Sequence, residues 1–199
     1  MKSDSVLEDL IVAFTMLPGI GHKSAVRMSY HLLQKNRPGG KSLAKAIEFA
    51  MDSISCCSSC RNFTTSEVCV ICSQSKRDKS ILCIVENPID VLLIEQIGLF
   101  NGLYFVLMGH LSPLDGIGAY ELGMPLLRSR VLQGGVKEMI IATNATVEGS
   151  ATANYIKELT SDLKIKITRI SHGLPAGSEL EYVDSTTLAC ALMERKELN

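Results

Sequence analysis

Apolar side chains recur at helical spacing over residues 6–17, VLEDLIVAFTML, and Pro18-Gly19 ends that segment because proline cannot continue the hydrogen-bond ladder. A second helix is expected from about Lys23 to Leu33, with Ala25, Val26, Met28, Leu32 and Leu33 on its apolar side. The run Asn36-Arg37-Pro38-Gly39-Gly40 should break it, and residues 42–54 should give a third helix. Residues 56–80 are short of apolar side chains and rich in Cys, Ser and Lys, so no core of their own is expected.

From residue 81 the pattern alternates. ILCIV (81–85) reads as a strand, PIDVLLIEQIG (88–98) as a helix that opens on proline and closes on glycine, and LYFVLMG (103–109) as a strand. Helix is expected again over 124–135, strand over 137–143, helix over 150–160 and strand over 164–170. Alternation of this kind predicts an α/β fold with a mostly parallel sheet covered by helices on both faces. The tail opens on the turn-forming stretch SHGLPAGS and gives a short helix from about Ser185. Four regions follow: helical 1–54, a cysteine module at 57–72, the α/β domain at 80–176, and a C-terminal tail at 177–199.

A chain of 199 residues can bury a sizeable core without disulfides. No apolar run approaches the roughly 20 residues of a membrane span, and the first residues mix charges into the apolar positions too early for a signal peptide. A soluble, cytoplasmic protein with no membrane partner is expected. The net charge of −1 hides a polarity: residues 1–79 carry 11 Lys+Arg against 7 Asp+Glu, and residues 80–199 carry 9 against 14. No acid lies between Asp9 and Glu48, whereas Lys23, Arg27, Lys35, Arg37, Lys41 and Lys45 all do. Such a run can be a plain solvated face, but the missing acids suit a polyanion-binding face better.

LPGIGHKSA, residues 17–25, joins the first two expected helices. Gly19 and Gly21 are expected to allow a tight reversal that leaves backbone N–H groups exposed. With the positive end of the following helix, and with Lys23 and Arg27 one turn apart, the corner suits phosphate and carries no base-reading group. The pattern resembles the helix-hairpin-helix motif of DNA-repair proteins.

Cys57-Ser-Ser-Cys60 and Cys69-Val-Ile-Cys72 are two C-x-x-C pairs separated by eight residues. Four thiolates at about 2.3 Å complete the closed tetrahedral shell of a structural zinc, one per chain. Cys56 blurs the register, although the two-residue spacing favours Cys57. Cys83 and Cys190 lie in apolar runs and read as buried thiols. GGKS (39–42) lacks the earlier glycine and the leading strand of a phosphate-binding P-loop. His22, His31, His110 and His172 show neither metal-pair spacing nor a nucleophile partner.

In the α/β region Glu86 follows the first strand, GHLSPLDGIG (109–118) the second, and NATVEGS (144–150) a later one, so Glu86, Asp115 and Glu148 should meet at one sheet edge. This layout resembles the Toprim domain of topoisomerases and primases, but Asn144 and Thr146 stand where that domain has two aspartates. Two-metal phosphoryl transfer needs several carboxylates, and an amide and a hydroxyl do not replace their charge. Loss of catalysis is therefore expected. The competing reading is a metal-dependent nuclease or primase that uses Glu86, Asp115 and Glu148.

Taken in order, a helix-hairpin-helix, a four-cysteine zinc finger, a Toprim-like domain and a short tail resemble the bacterial recombination mediator family RecR. The strings LPGIG, YFVLMGHLSPLDGIG, TVEGSATANYI and LEYVDSTTLACAL carry the likeness. Ser150 stands where the family commonly has Glu, and Ala145 where it has Pro. The resemblance implies a non-enzymatic protein that forms a ring-like homotetramer around single- or double-stranded DNA. It further implies partners of the RecO and RecF type and a role in loading RecA at single-stranded gaps. Gly19, Gly21, Lys23 and Arg27 would contact DNA, and Cys57, Cys60, Cys69 and Cys72 would hold zinc. Glu86, Asp115 and Glu148 would form an acidic surface for partner proteins, and the tail would help oligomerisation.

Overall fold

The computed structural model describes residues 3–170, 174 and 177–193. The turn-forming stretch at 171–176, except residue 174, and the last six residues of the tail lie outside the described residues, as does His172. Contacts divide the chain into two units, Met1–Ile54 and Ser55–Asn199.

Three helices build the first unit: α1 (Ser3–Thr15), α2 (His22–Lys35) and α3 (Arg37–Ser53). After α1 the chain reverses through Gly19, whose φ of +79° is open to glycine at little cost. Gly21 departs from expectation: at φ −81° and ψ 166° it is ordinary extended backbone, and its role is to start α2. The expected break after α2 is also corrected, since α3 begins at Arg37 and not at residue 42. Asn36 ends one helix and caps the next, its Oδ1 accepting from the Gly39 N–H at 2.9 Å, and Pro38 is preset for a first helical turn. A Cβ on Gly39 would stand 2.2 Å from the Asn36 amide, so glycine is what admits this cap.

Among the described residues this unit has almost no interior. Ile11 and Ala25 are its buried apolar residues and Ser29 its buried polar one, with Ala25 and Ser29 one turn apart on α2. α3 buries nothing. A fully buried Leu or Ile contributes about 1.5–3 kcal/mol, so this core contributes little.

The second unit opens with an antiparallel ribbon of β1 (Ser55–Cys56) and β2 (Phe63–Thr64), followed by the short α4 (Val70–Ser73). There follow β3 (Ile81–Val85), α5 (Pro88–Ile97), β4 (Leu103–Val106), α6 (Met124–Leu132), β5 (Glu138–Ala142), α7 (Val147–Leu159), β6 (Lys166–Arg169) and α8 (Ser185–Met193). The sheet is wholly parallel in the order β4-β3-β5-β6, so the chain switches direction between β3 and β5.

Both faces are covered. On one, Leu82, Ile84, Phe105, Met139 and Ile141 pack with Leu127 and Val131 of α6 and Ala153 and Ile156 of α7. On the other, Cys83, Val85, Tyr104 and Val106 pack with Val91 and Ile94 of α5 and with Ile71 of α4. Strands buried on two faces read as continuous apolar runs, which is why ILCIV was legible. β4 ends three residues before expectation, because Met108 (φ 65°) and Gly109 (φ 144°) turn the chain away. α7 begins three residues earlier than expected, with Thr146 Oγ1 accepting from Gly149 N at 3.0 Å. Glu148 and Ser150 therefore lie in a first helical turn and not in a loop.

Candidate functional site

The first unit presents a cationic corner. α2 has no side-chain cap, and its first turn carries no acid. Ser24 and Ala25 donate their N–H groups back to the Gly21 carbonyl, whereas His22 and Lys23 N–H find no backbone acceptor among the described residues. These donors and the helix dipole favour an anion at this end. Lys23 and Arg27 are exposed one turn apart beside it.

In the second unit two tight turns bring Cys57, Cys60, Cys69 and Cys72 together, with all four sulfurs within 4.8 Å of one another. Cys60 and Cys69 Sγ are 3.5 Å apart, close to the roughly 3.8 Å edge of a tetrahedron of sulfurs around zinc. The register follows from burial: Cys57, Cys60 and Cys69 are buried, while Cys56 is exposed on β1 and takes no part. Backbone amides already point at the sulfurs, Cys69 N donating to Cys57 Sγ at 3.2 Å and Cys72 N to Cys69 Sγ at 3.5 Å. Among the bare thiols, the hydrogen bond with Cys60 pulls Cys72 down to about 5 against its burial, and the same pairing pushes Cys60 up. A donor set of four soft sulfurs, sealed on three sides, fits a structural metal with no open position.

Two arginines tie this centre to the sheet. Arg130 of α6 donates through one nitrogen to the Ser59 and Tyr104 carbonyls, both at 2.7 Å. Arg61, held at φ 65°, donates to the carbonyls of Leu107, Leu122 and Glu121. The Cys60 carbonyl also accepts from Val106 N at 2.9 Å, so the cysteine module covers the outer edge of β4. Sequence reasoning missed both arginines, because nothing local distinguishes an arginine that will reach a carbonyl 60 residues away.

The carboxyl edge of the parallel sheet brings the three expected loops to one side, yet their acids diverge. Glu86 is 1% exposed, so it does not belong to an acidic surface for partners. Its Oε1 accepts from Asn144 N at 2.8 Å and its Oε2 from the Asn144 side-chain amide at 2.6 Å, with His110 Nδ1 at 3.5 Å. Asp115 is exposed and accepts from Ser112 Oγ at 2.6 Å, and Glu148 is exposed on α7. Among the described residues the four cysteines form the one group able to surround a metal; Glu86, Asp115 and Glu148 do not. Gly149 is needed here, since a Cβ would lie 2.2 Å from the Asn144 carbonyl and 2.9 Å from Glu86 Oε1. Ser150 Oγ accepts from Arg169 at 3.1 Å.

Comparison with known proteins agrees with this organisation. Residues 80–171 match the Toprim domain family, residues 7–51 the family described as RecR, helix-hairpin-helix, and residues 173–196 that described as RecR, C-terminal. The Recombination protein RecR of Hydrogenovibrio crunogenus is 52% identical over 191 residues, which is 96% of this chain and 97% of that protein. With likeness of this degree along nearly its whole length, the chain belongs to the RecR family of recombination proteins.

Proposed function

We propose that this protein is a non-enzymatic DNA-binding scaffold of recombinational repair. The observation that carries the reading is the uncapped, acid-free start of α2, with Lys23 and Arg27 exposed beside it. Such a corner engages the phosphate backbone and reads no base, so it suits single- and double-stranded DNA alike. Lys23→Ala and Arg27→Ala should each weaken binding across sequences and flatten the salt dependence by about one phosphate contact. Unchanged affinity in both variants would sink the assignment.

Assembly into a homotetramer is part of the same proposal. α3 exposes Leu43, Ile47, Phe49 and Met51, Ile54 just after it is exposed too, and α8 buries nothing despite its apolar sequence. Apolar helix faces of this extent call for a partner, and a second copy of the chain supplies a matching one. A ring built this way can encircle DNA. Light scattering that reports a monomer at micromolar concentration would refute it.

The ion at the four cysteines is proposed to be zinc, which suits a closed tetrahedral sulfur shell, and its role to be structural. Exposed Asp115 and Glu148 at the sheet edge would meet basic surfaces of RecO- and RecF-type partners, through which RecA is loaded at gaps. Catalysis is disfavoured because Asn144 donates into Glu86 where a Toprim enzyme would place an aspartate and a cation. DNA cleavage or nucleotide incorporation with Mg²⁺ or Mn²⁺, abolished by Glu86→Gln, would overturn that part.

A further inference from the structure

The two edges of the parallel sheet differ. On β4 the Val106 N–H bonds the Cys60 carbonyl, so the cysteine module occupies that edge. On β6 nothing among the described residues does the same, since β6 pairs with β5 alone. Lys166 N donates to the Lys137 carbonyl at 2.9 Å and Ile170 N to the Ile141 carbonyl at 3.2 Å. Residues between them alternate in direction, so the N–H and C=O groups of Ile167 and Arg169 face outward as an unpaired row.

Side chains along β6 alternate as well. Ile167 faces α7, as Ile141 of β5 does, and with Ala153, Asn154 and Lys157 of α7 and with Arg169 these residues line a recess of about 180 Å³ beside the open edge. Lys166 and Thr168 face the other way, and exposed Lys164 stands just before them. The nearby acids are engaged, Glu138 by Lys166 and Thr168 and Asp162 by Arg128. Lys157 and Lys164 have no acid partner among the described residues.

That combination selects its occupant. Lysines alone would guard an edge against aggregation, but a guarded edge has no use for a recess. A nucleic acid would answer the cations and leave the main-chain groups unpaired, because only another extended backbone matches them. The recess is smaller than the roughly 300–1,000 Å³ of small-molecule sites and suits one apolar side chain. An extended peptide of alternating apolar and acidic residues meets every feature: its backbone adds a strand, its apolar side chains turn toward α7, and its carboxylates turn toward Lys164 and Lys166. We propose that the β6 edge is a docking site for an extended acidic segment of a partner protein. The site is separate from the cationic corner on α2 and does not depend on DNA binding there.

The test uses the full-length protein and a short fluorescent peptide of alternating valine and glutamate. Its controls are the same peptide with lysine for glutamate, one N-methylated throughout, and a thymidine oligonucleotide. The glutamate peptide should bind saturably, and N-methylation should weaken it about tenfold or more, the scale of two lost hydrogen bonds. Hydrogen exchange at the Ile167 and Arg169 amides should slow when the peptide is added, while Thr168, which faces β5, should change little. Lys157→Glu and Lys164→Glu should each lower the affinity about threefold at low salt. Arg169→Pro should cost more than Arg169→Ala, because proline also removes an outward N–H and edge strands tolerate it. Circular dichroism should show unchanged secondary structure for these variants. Equal affinity for the lysine or N-methylated peptide, no saturable binding, or Ile167 and Arg169 amides already slow in the free protein would each overturn the proposal, the last by showing that a second copy covers the edge. Displacement of the peptide by the oligonucleotide, abolished by Lys157→Glu and Lys164→Glu, would overturn it in favour of a nucleic-acid face.

Discussion

Asn144 donates to both carboxylate oxygens of Glu86, from its backbone N–H to Oε1 at 2.8 Å and from its side-chain amide to Oε2 at 2.6 Å. A carboxylate that is 1% exposed must have its charge answered by bonded donors or a cation. Here the answering group is a neutral amide on the next strand's loop, at the switch point of the sheet where α/β proteins usually bind ligands.

Asn144→Asp keeps the shape but removes the amide donor and sets a second negative charge against a buried one. The melting temperature should fall by roughly 4–12 °C, corresponding to about 2–3 kcal/mol for a chain of this size. Millimolar Mg²⁺ or Mn²⁺ should recover part of the loss, because a cation then stands between the two carboxylates. A thermal melt with and without divalent ion decides it, and a variant as stable as its parent in chelator would speak against this account.

Gly149→Ala forces a methyl group toward the Asn144 carbonyl and Glu86. Backbone cannot yield there as a flexible side chain would, so a cost of about 1–3 kcal/mol is expected, read as a lower urea midpoint with an unchanged slope. Wild-type stability would show that α7 can withdraw from Glu86 freely.

Elemental analysis of protein purified without chelator should return about one zinc per chain, as one shell of four thiolates requires. Stripping the metal should then speed hydrogen exchange at the Val106 amide, whose acceptor is the Cys60 carbonyl, more than at the central strand β3. Equal protection before and after would mean that the cysteine module and the sheet edge are independent.

Glu95 accepts from Tyr104 Oη at 2.6 Å and pairs with Arg77, whose side chain is 9% exposed. The Arg77 bond first, and then that of Tyr104, hold the Glu95 carboxyl below its usual range despite partial burial. A depressed folded pKa contributes stability that is fully present above the unfolded value, about 4.3, and lost as pH falls through the folded one. Wild type should therefore exceed Glu95→Gln in denaturant midpoint at pH 7, and the gap should close below about pH 4. A gap independent of pH would assign the effect to packing.

The order of elements in the second unit was legible because strands buried on both faces leave continuous apolar runs between proline-opened, glycine-closed helices, as in PIDVLLIEQIG. Boundaries slipped where a cap outran the apolar pattern: Asn36 starts α3 and Thr146 starts α7 earlier than periodicity suggests, because a side-chain bond to a backbone amide leaves no hydrophobic trace. Four cysteines in two close pairs announced their cluster, since a tight turn needs only its own residues to bring two sulfurs together.

By itself, then, the sequence determined what depends on near neighbours: the helical hairpin with its acid-free cationic run, the cysteine pairs, and the alternation that makes a parallel sheet. Tertiary structure alone decided what depends on residues distant in the chain. It buried Glu86 beneath Asn144, 58 positions away, and so removed it from the surface where charge alone would place it. It also sent Arg61 and Arg130 across to the carbonyls that hold the cysteine module on β4, and set Phe14 and Leu43 around one cleft on α2. The physical reason is common to these cases: desolvation and long-range hydrogen bonding act on the neighbours that packing supplies, and a linear pattern does not name them.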